Sequence, residues 1–354
     1  MDHDLLSDNG LMRWGRSLVM ALGLASAAHN GVAYAAEPAS RDAATKEQIA
    51  RALARAQAAV VGLEATAIED AGSVATLGRE RQGSGVVISA DGLVLTIGYL
   101  ILEADHVDLV FDDTHRVPAR VVAYDLATGF GLVQALTPLV AEPVPLGDSA
   151  AFSADEPLMI ASGGEDGALS LARLVSRRSF SGYWEYHIDG AIFTAPPRRD
   201  HSGAALFNAN GELLGIGSLI VNDALGKGEA PMPGNMFVPV DLLKPIIAEL
   251  RERGASRQSS RAWLGLNCVE YEGQIRVIRL TAASPAEDAG LRPGDRIVSI
   301  DGLAVNDLES FYKALWQREP ERQVTLEIRR GAATQTLKVQ AFDRMKTLRR
   351  PEGV

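Results

Sequence analysis

Ser202 is a candidate nucleophile, and it lies in the segment Asp200-His201-Ser202-Gly203-Ala204. A serine hydroxyl attacks a substrate when a base, most often histidine, accepts its proton, and an aspartate then fixes the tautomer of that histidine. The chemistry of this chain therefore depends on which base could reach Ser202. Without a base, Ser202 is a small residue that suits a turn.

The histidines are few, and each candidate base has a simpler interpretation. The chain has six of them. His201 is adjacent to Ser202 in an extended or turn segment, where neighbouring side chains diverge. His106 and His115 are expected at the surface, and His187 alternates with larger neighbours, which indicates a half-buried structural residue. None of these is favoured as the base.

The sequence gives little support for a Ser–Lys dyad, a metal site or a disulfide. Lys227 is the only lysine between positions 66 and 241, and its glycine-rich surroundings predict a flexible loop rather than a Ser–Lys dyad. His201 and Asp200 could ligate a metal in a vacant cleft, but no paired His/Cys spacing supports this, so we expect neither a metal nor another cofactor. Cys268 is the one cysteine, which excludes an internal disulfide, and a buried thiol is expected.

The composition is that of a globular protein of about two domains. The chain has 354 residues, of which 47% are hydrophobic and 23% charged, and roughly 150 residues make a domain. Its body lacks an apolar run of about 18 residues, which excludes a polytopic membrane protein. The net charge of −10, without a basic stripe, argues against nucleic acid as a partner.

Residues 1–35 are predicted to be an export signal. Arg13 and Arg16 precede the apolar run 17–28, and the small-residue site Ala33-Tyr34-Ala35 follows. A positive region, an apolar core and an A-x-A site are the parts of a secretory signal peptide. We expect cleavage and a periplasmic or otherwise exported protein without an integral membrane segment. An uncleaved membrane anchor is the alternative.

The body of the chain divides into a β-rich part and a smaller C-terminal part. Short β-type runs separated by turn signals extend from Gly83 to Val221, with Asn210-Gly211 as a hairpin signal. Many short strands at this spacing indicate a barrel or a sandwich. A helix over Asp241 to Arg253, with Asp241 as its N-cap, is expected to close this part.

The predicted boundaries follow from these patterns and from the polar, small-residue character of one short segment. They are a signal peptide (1–35), an N-terminal helical segment (36–65), the β-rich domain (66–250), a linker (251–261), a C-terminal domain (262–342) and a basic, solvated tail (343–354).

Three segments resemble a known family. Gly83 to Thr96 resembles the opening barrel of the HtrA (Deg) family of trypsin-like serine proteases, and His201 to Phe207 with Asn210 to Ile216 resembles its nucleophile segment and the following hairpin. Ser284 to Gly302 is similar to the PDZ domain that follows the protease in that family. The resemblance implies an all-β double barrel, with two six-stranded barrels of the trypsin type, followed by an α+β PDZ domain.

The resemblance also implies that the catalytic constellation is degenerate. Tyr99 stands at the position of the family's histidine and Gly129 at that of its aspartate, while Ser202 keeps the nucleophile position. A phenol with a pKa of about 10 is neutral at neutral pH and accepts protons poorly. Asp200 replaces a glycine whose N–H serves the oxyanion hole, and its carboxylate would disfavour a developing oxyanion. We therefore predict a pseudoprotease.

The PDZ segment keeps the groups that bind a peptide terminus. PDZ domains add an extended C-terminal peptide to a sheet edge, and main-chain N–H groups receive its carboxylate. The resemblance places Leu264, Gly265 and Leu266 at this carboxylate loop, with Arg261 either complementing the charge or remaining a solvated linker residue. A helix over Asp307 to Gln317 would form the far wall of the groove, with an apolar face made by Leu308, Phe311, Tyr312 and Leu315.

The sequence thus leads to one main hypothesis and two alternatives. An exported HtrA-like pseudoprotease would bind polypeptides or C-terminal peptides through its PDZ domain, as a scaffold, a chaperone-like holder or a sensor. The first alternative is an active periplasmic serine endopeptidase of protein quality control that uses an unorthodox base. The second is a regulatory subunit of an active HtrA homologue. By resemblance alone, a homo-oligomer or a hetero-oligomer with an HtrA protease is expected.

Overall fold

The computed structural model describes residues 38–111, 115–164 and 167–349, with side chains from residue 46 onward. The predicted signal peptide, 1–35, lies outside the described residues. The first element is the polar helix α1 (Pro38–Ala58). Every helix in the described part of the chain is too short or too polar to cross a membrane.

Helix α1 ends earlier than the sequence predicted. The expected helical segment reached residue 65, whereas the first strand, β1, spans Val60–Ala67. The Ala59 carbonyl accepts a hydrogen bond from Val87 N at 2.9 Å, and Val60 lies opposite Val86 in the neighbouring strand. β-Branched residues favour such pairing over a helix, so the start of the barrel overrides the alanine-rich helical pattern.

Six antiparallel strands form the first barrel. Their order is β1-β2-β3-β6-β5-β4, and pairing of β4 with β1 closes it. The strands after β1 are β2 (Glu80–Val87), β3 (Leu93–Ile97), β4 (Ala104–Val110), β5 (Arg116–Tyr124) and β6 (Phe130–Ala135). Two short helices lie between them, α2 (Val74–Leu77) and α3 (Gly98–Ile101). All five residues of β3 are buried, so the residues that follow it are held against the core.

The next six strands close in the order β10-β11-β12-β9-β8-β7. They are β7 (Leu158–Ala161), β8 (Leu169–Gly182), β9 (Tyr186–Ala195), β10 (Ala205–Phe207), β11 (Leu213–Val221) and β12 (Gly234–Pro239). The Asn210-Gly211 signal lies in the tight connection of β10 to β11, where Gly211 has φ +74°. The long strands β8 and β9 form a hairpin, and we call its connecting residues, Tyr183–Glu185, the hairpin tip.

The helix that closes the β-rich part is shorter than predicted. A 3₁₀ turn covers Val240–Leu242, and helix α4 spans only Ile247–Arg253. Asp241 is not the N-cap of α4, because its carboxylate accepts a hydrogen bond from Ser149 N at 2.7 Å. A tertiary contact therefore competes with the cap that the local sequence favours.

The predicted linker, 251–261, packs against the barrel. It contains the end of α4 and a 3₁₀ turn over Arg257–Ser259. Ser256 and Ser259 are buried, and both hydroxyl groups donate to the buried carboxylate of Asp125. The polar, small-residue composition predicted a linker, and two of its hydroxyl groups bond an acceptor inside the protein.

The C-terminal domain starts at Ala262 and is built on antiparallel strands with one helix of nine residues. The sheet order is β14-β15-β16-β18-β19, with β17 on β16 and a separate β13-β20 pair. The strands are β13 (Ala262–Trp263), β14 (Leu266–Tyr271), β15 (Gln274–Leu280), β16 (Arg296–Ile300), β17 (Leu303–Ala304), β18 (Gln323–Arg330), β19 (Ala333–Gln340) and β20 (Phe342–Asp343). Helices α5 (Pro285–Asp288) and α6 (Leu308–Trp316) pack with them, and Asp307 caps α6 by accepting from Ser310 N at 2.7 Å.

The tail, 343–354, was predicted to be solvated, yet its described part is docked. It forms helix α7 (Arg344–Thr347). Arg344 Nη1 donates to the Trp184 carbonyl at 3.1 Å, and Arg349 N donates to Glu103 Oε1 at 2.9 Å. The Arg344 side chain and the Arg349 backbone N–H thus connect the described part of the tail to the barrels.

Candidate functional site

Ser202 lies in a turn whose conformation requires glycine at the next position, 203. The turn precedes β10, and Ser202 O accepts a hydrogen bond from Ser84 N at 2.8 Å. Gly203 has φ +76°, and a Cβ there would lie 2.0 Å from Ser84 O. A side chain at position 203 is thus excluded both by conformation and by space. This turn holds Ser202, partly exposed, beside the first barrel.

Tyr99 is the side chain that meets the Ser202 hydroxyl. It belongs to α3, whose last carbonyl groups are bound by Arg81: Nη1 lies 3.0 Å from Tyr99 O. Tyr99 Oη lies 2.8 Å from Ser202 Oγ and 2.9 Å from Ser218 O. The phenol has one proton and a carbonyl can only accept. With both bonds intact, Tyr99 donates to Ser218 O and Ser202 donates to Tyr99 Oη.

The environment of Tyr99 keeps its phenol protonated. Burial raises the pKa of Tyr99 to about 12, and the hydrogen bond with Ser202 opposes this only in part. A neutral phenol cannot take a proton from a serine hydroxyl near neutral pH. The group beside Ser202 is therefore a hydrogen-bond partner and a poor base.

Gly129 is close to Tyr99 but has no room for a side chain. Its carbonyl accepts from Gly98 N at 2.7 Å, which fixes it next to the start of α3. It has φ +81°, and a Cβ would lie 2.9 Å from Tyr186 Oη. The Tyr186 hydroxyl donates to Thr128 O at 2.7 Å, so the phenol is held in that place. The structure thus brings the three predicted site positions together, with an aromatic side chain filling the space beside Gly129.

The other candidate bases contact different groups. Burial lowers the pKa of His201. The described histidines and Lys227 have these neighbours: His106 contacts Asp108, His115 stacks on Phe111, His187 contacts Ser181 and Asp189, His201 contacts Arg199 O, and Lys227 contacts Glu270. Lys227 lies in a turn between β11 and β12 and makes an ion pair with Glu270 of β14.

Asp200 carries a negative charge at the wall of the cleft beside Ser202. Burial alone would raise the pKa of Asp200, but hydrogen bonds from Arg198 and Ser162, with its own backbone N–H, hold it below its usual value. Arg198 Nε donates to its Oδ1 at 3.0 Å. The cleft is a cavity of about 270 Å³ lined by Gly62, Ser84, Ser162, Gly163, Asp200 and Ser202.

Among the described residues, one cluster of possible metal ligands lies next to the hairpin tip. Ligand atoms of His187, Asp189 and Glu309 lie within 4.8 Å of one another. Lys313 Nζ lies 2.6 Å from Glu309 Oε1 and 3.7 Å from Asp189 Oδ1. An ammonium group that already neutralises both carboxylates disfavours a cation there. The cluster does not involve His201 and Asp200, the pair that the sequence suggested.

The predicted carboxylate loop binds a carboxylate within this chain. Leu264 N donates to Glu185 Oε1 at 2.9 Å and Gly265 N donates to Glu185 Oε2 at 3.0 Å. The Leu266 backbone also stabilises this carboxylate. Gly265 has φ +80°, and a Cβ would lie 2.2 Å from the Ser284 Cβ, so the loop requires glycine there.

The flanks of the loop differ in part from the prediction. Arg261 neither remains solvated nor faces the carboxylate, because its guanidinium lies 4.2 Å from the centre of the Trp316 ring. The predicted helix is present as α6, and its predicted apolar face is buried. Cys268 in β14 is buried, as expected, and burial raises the pKa of its thiol.

Comparison with known protein families identifies a peptidase domain and a PDZ domain in this chain. The model of the trypsin-like peptidase domain matches residues 83–216, and that of the PDZ domain matches residues 262–341. The chain is similar to the periplasmic pH-dependent serine endoprotease DegQ of Escherichia coli, at 26% identity over 71% of this chain and 57% of that protein. It is also similar to the serine protease PepD of Mycobacterium tuberculosis, at 25% identity over 71% of this chain and 58% of that protein. The chain thus spans little more than half the length of these curated relatives.

A solved structure shares the fold. The HtrA-type protease AlgW, solved with a decapeptide, superposes with a TM-score of 0.52 at 20% identity, over 84% of this chain and 98% of that one. The chain is HtrA-like. Its trypsin-like peptidase domain, mostly β with a closed six-stranded barrel, precedes a PDZ domain, as the sequence predicted.

Three residues of these sites were not predicted from the sequence. Ser218 contributes a carbonyl, which any residue type could supply. Tyr186 was predicted only as the start of a strand, and no contact was predicted for Glu185. The one available signal was the aromatic cluster Tyr183-Trp184-Glu185-Tyr186, which is unusual for a solvated hairpin turn.

Proposed function

We propose that the chain is an exported HtrA-like pseudoprotease that binds polypeptides or C-terminal peptides through its PDZ domain. It would act as a scaffold, a chaperone-like holder or a sensor. The observation that carries the proposal is the 2.8 Å contact of Tyr99 Oη with Ser202 Oγ, at the place where a serine protease needs its base. Loss of that base costs about 10⁴–10⁶ in rate.

The surroundings of Gly129 support the same conclusion. A triad aspartate orients the histidine and stabilises the imidazolium that forms during catalysis. Here the Tyr186 phenol lies where a side chain at position 129 would begin. A compensating carboxylate at this position would therefore meet a steric barrier as well as the unfavourable φ of Gly129.

The charge of Asp200 adds an electrostatic obstacle. Acyl transfer needs hydrogen-bond donors aimed at the developing oxyanion. The carboxylate of Asp200 is kept ionised by Arg198 and Ser162, and its own N–H also supports that carboxylate. A donor used in this way, beside a fixed negative charge, is a poor oxyanion-hole group.

The PDZ domain supports the binding part of the proposal. Its loop at Leu264 to Leu266 presents successive N–H groups that bind a carboxylate in this structure. Recognition of a carboxylate by such groups is how PDZ domains capture chain termini. Export to the periplasm is part of the proposal, and it is supported by the signal-like sequence and by the similarity to a periplasmic endoprotease of Escherichia coli.

Incubation with unfolded casein tests the catalytic part. The purified chain and its Ser202→Ala variant should release fragments at the same background rate, because Ser202 has no base. An active protease of the trypsin type, assayed in parallel, controls for the substrate. Cleavage by the wild type that Ser202→Ala abolishes would refute the pseudoprotease.

A retained activity is the second candidate function. Ser202 keeps its hydroxyl and borders an open cavity of about 270 Å³. The curated relatives are serine proteases. An endopeptidase with an unorthodox base would release Ser202-dependent fragments in the same casein experiment, so one measurement separates the two functions.

A further inference from the structure

The carboxylate of Glu185 occupies the N–H groups that a peptide terminus would need. It accepts from Leu264 N at 2.9 Å and from Gly265 N at 3.0 Å. Glu185 belongs to the hairpin tip of the peptidase domain, 79 and 80 residues away from these donors in sequence. The PDZ loop is therefore already bonded to a carboxylate of its own chain.

The backbone of the hairpin tip also bonds to the edge strand of the PDZ sheet. Cys268 N, in β14, donates to Tyr183 O at 2.9 Å. This bond joins two backbones, whereas the bonds from Leu264 N and Gly265 N reach the side-chain carboxylate of Glu185. A backbone bond at a sheet edge is one of the contacts that an added peptide makes. The hairpin tip thus supplies a backbone acceptor to this edge as well as a carboxylate to the loop.

Helix α6, the far wall of the groove, is hydrogen-bonded to the same hairpin. Tyr312 of α6 donates to Gly182 O at 2.8 Å and accepts from Glu185 N at 3.2 Å. Tyr312 is fully buried, which leaves no gap between α6 and the hairpin tip. Arg344 of α7 adds a hydrogen bond to Trp184 O at 3.1 Å.

The backbone conformation of Glu185 is unfavourable in free energy, and the hydrogen bonds that the residue makes to the PDZ domain offset this. Its φ is +56°, a region that residues with a Cβ seldom adopt. The residue is only 7% exposed, and a buried carboxylate is unfavourable unless hydrogen bonds satisfy it. Positive φ also occurs at Glu272 in an exposed hairpin turn, so what distinguishes Glu185 is its buried and hydrogen-bonded carboxylate.

We propose that the hairpin tip is a built-in ligand that closes the PDZ groove, so that a free polypeptide C-terminus binds only by displacing Glu185. The second part rests on the proposed peptide-binding function. A tethered ligand has an effective concentration in the millimolar range. An external ligand must therefore offer both an extended backbone and a terminal carboxylate, and it must bind well enough to compete.

Peptide binding to the full chain tests the competition. The probe is fluorescein-labelled Phe-Ser-Gly-Tyr-Trp-Ala, which copies Phe180 to Trp184 and ends in a free carboxylate. Glu185→Gln keeps the shape, but its single amide oxygen can accept from only one of Leu264 N and Gly265 N, so we expect it to bind the probe at least about tenfold more tightly than the wild type. The amidated probe should bind neither protein well.

Glu272→Gln is the matched control. Glu272 is also a glutamate in a hairpin turn with positive φ, +51°, but it is exposed and lies on the opposite side of β14 from the carboxylate loop in sequence. Its substitution should leave the affinity for the probe unchanged. An equal gain in both variants would show that the effect is general charge removal, which would overturn the proposal.

Amide hydrogen exchange gives a readout that does not need the peptide. In Glu185→Gln, exchange at Leu264 to Leu266 and at Cys268 should accelerate by at least about tenfold. Unchanged exchange, or equal and measurable probe affinity of wild type and Glu185→Gln, would overturn the built-in ligand. Faster exchange with no probe binding by either protein would support the built-in ligand and refute peptide binding as the function.

Discussion

The Tyr99 hydroxyl oxygen lies 2.8 Å from the Ser202 hydroxyl oxygen, across 103 residues of sequence. The contact joins the first barrel to the turn before β10, and Ser218 O completes it. A pair of hydroxyl groups with a carbonyl is a fully satisfied polar cluster. It stabilises the interface of the barrels and leaves Ser202 without a proton acceptor of suitable pKa.

Tyr99→Phe should destabilise the protein by about 1–3 kcal/mol, because Ser202 and the Ser218 carbonyl lose a buried partner. Urea unfolding measures the change. Tyr271→Phe is the control: this tyrosine is 57% exposed, and its variant should stay within about 0.5 kcal/mol of the wild type. Equal stability of Tyr99→Phe and wild type would show that water replaces the Tyr99 bonds at no cost.

Gly129→Ala should destabilise more than Gly190→Ala. Both glycines have positive φ, +81° and +68°, but only the Cβ at position 129 meets an atom within 4 Å, the Tyr186 oxygen at 2.9 Å. A side chain in the left-handed conformation costs about 1–2 kcal/mol in both variants. The difference in destabilisation between the two variants therefore measures the clash with Tyr186. We expect a difference of about 1 kcal/mol or more in urea unfolding. An equal decrease in the free energy of unfolding for both variants would mean that Tyr186 moves aside at no cost.

The same clash bears on any attempt to rebuild a triad. Tyr99→His with Gly129→Asp should not restore cleavage of casein, since Tyr186 occupies the space of the new carboxylate. The wild type and the double variant should give the same fragment yield. Ser202-dependent cleavage by the double variant would show that two local changes alone separate this chain from a protease.

Asp125→Ala should cost about 2–4 kcal/mol of stability. Asp125 is fully buried, and its carboxylate accepts from Thr128, Ser256 and Ser259. Its removal leaves several buried donors unpaired. Asp105→Ala, at an exposed position of β4, is the control and should be near neutral. A loss for Asp125→Ala as small as the control's would mean that the segment before the PDZ domain is not anchored by this carboxylate.

Glu185 predicts a specific pH dependence. Burial raises its pKa from the usual 4.5 to about 7, against the opposing charge of Arg344 and the backbone donors. Cys268 and Tyr312 also face it, with thiol and phenol pKa values raised by burial. A carboxyl with a raised folded pKa binds more protons when folded, so its stabilising contribution is complete below about pH 4.5 and is lost as pH rises to about 7.

Urea unfolding of wild type and Glu185→Gln between pH 4.5 and pH 8 measures this dependence. The stability difference between the two proteins should change by up to about 3 kcal/mol over that window and stay constant above it. A difference that does not vary with pH would show that the Glu185 carboxylate titrates normally, as it would if the hairpin tip were solvated.

Local rules accounted for much of the fold. Alternating apolar residues and turn signals predicted the strands from β2 onward, and Asp307 was placed correctly at the start of α6. They failed where a distant partner decides the structure. Val60 joins a strand because β2 pairs with it, and Asp241 bonds Ser149, 92 residues away, instead of capping a helix.

The residues of the sites could likewise be predicted only in part from the sequence. The positions of Tyr99, Gly129 and Ser202 could be inferred because they lie in segments with recognisable neighbours. Glu185 could not, because its function depends on the folding of a hairpin tip onto a domain that begins at Ala262. No periodicity or motif encodes a contact between two domains, so the occupied PDZ loop emerges only from the three-dimensional structure.

Reaction with a fluorophosphonate, followed by intact-mass spectrometry, tests whether Ser202 has a base that activates it. This reagent labels a serine whose proton a nearby base can remove. We expect no adduct on the wild type under conditions that fully label trypsin, because Tyr99 holds Ser202 without accepting its proton. A stoichiometric adduct at Ser202, absent from Ser202→Ala, would show that Ser202 is an activated nucleophile.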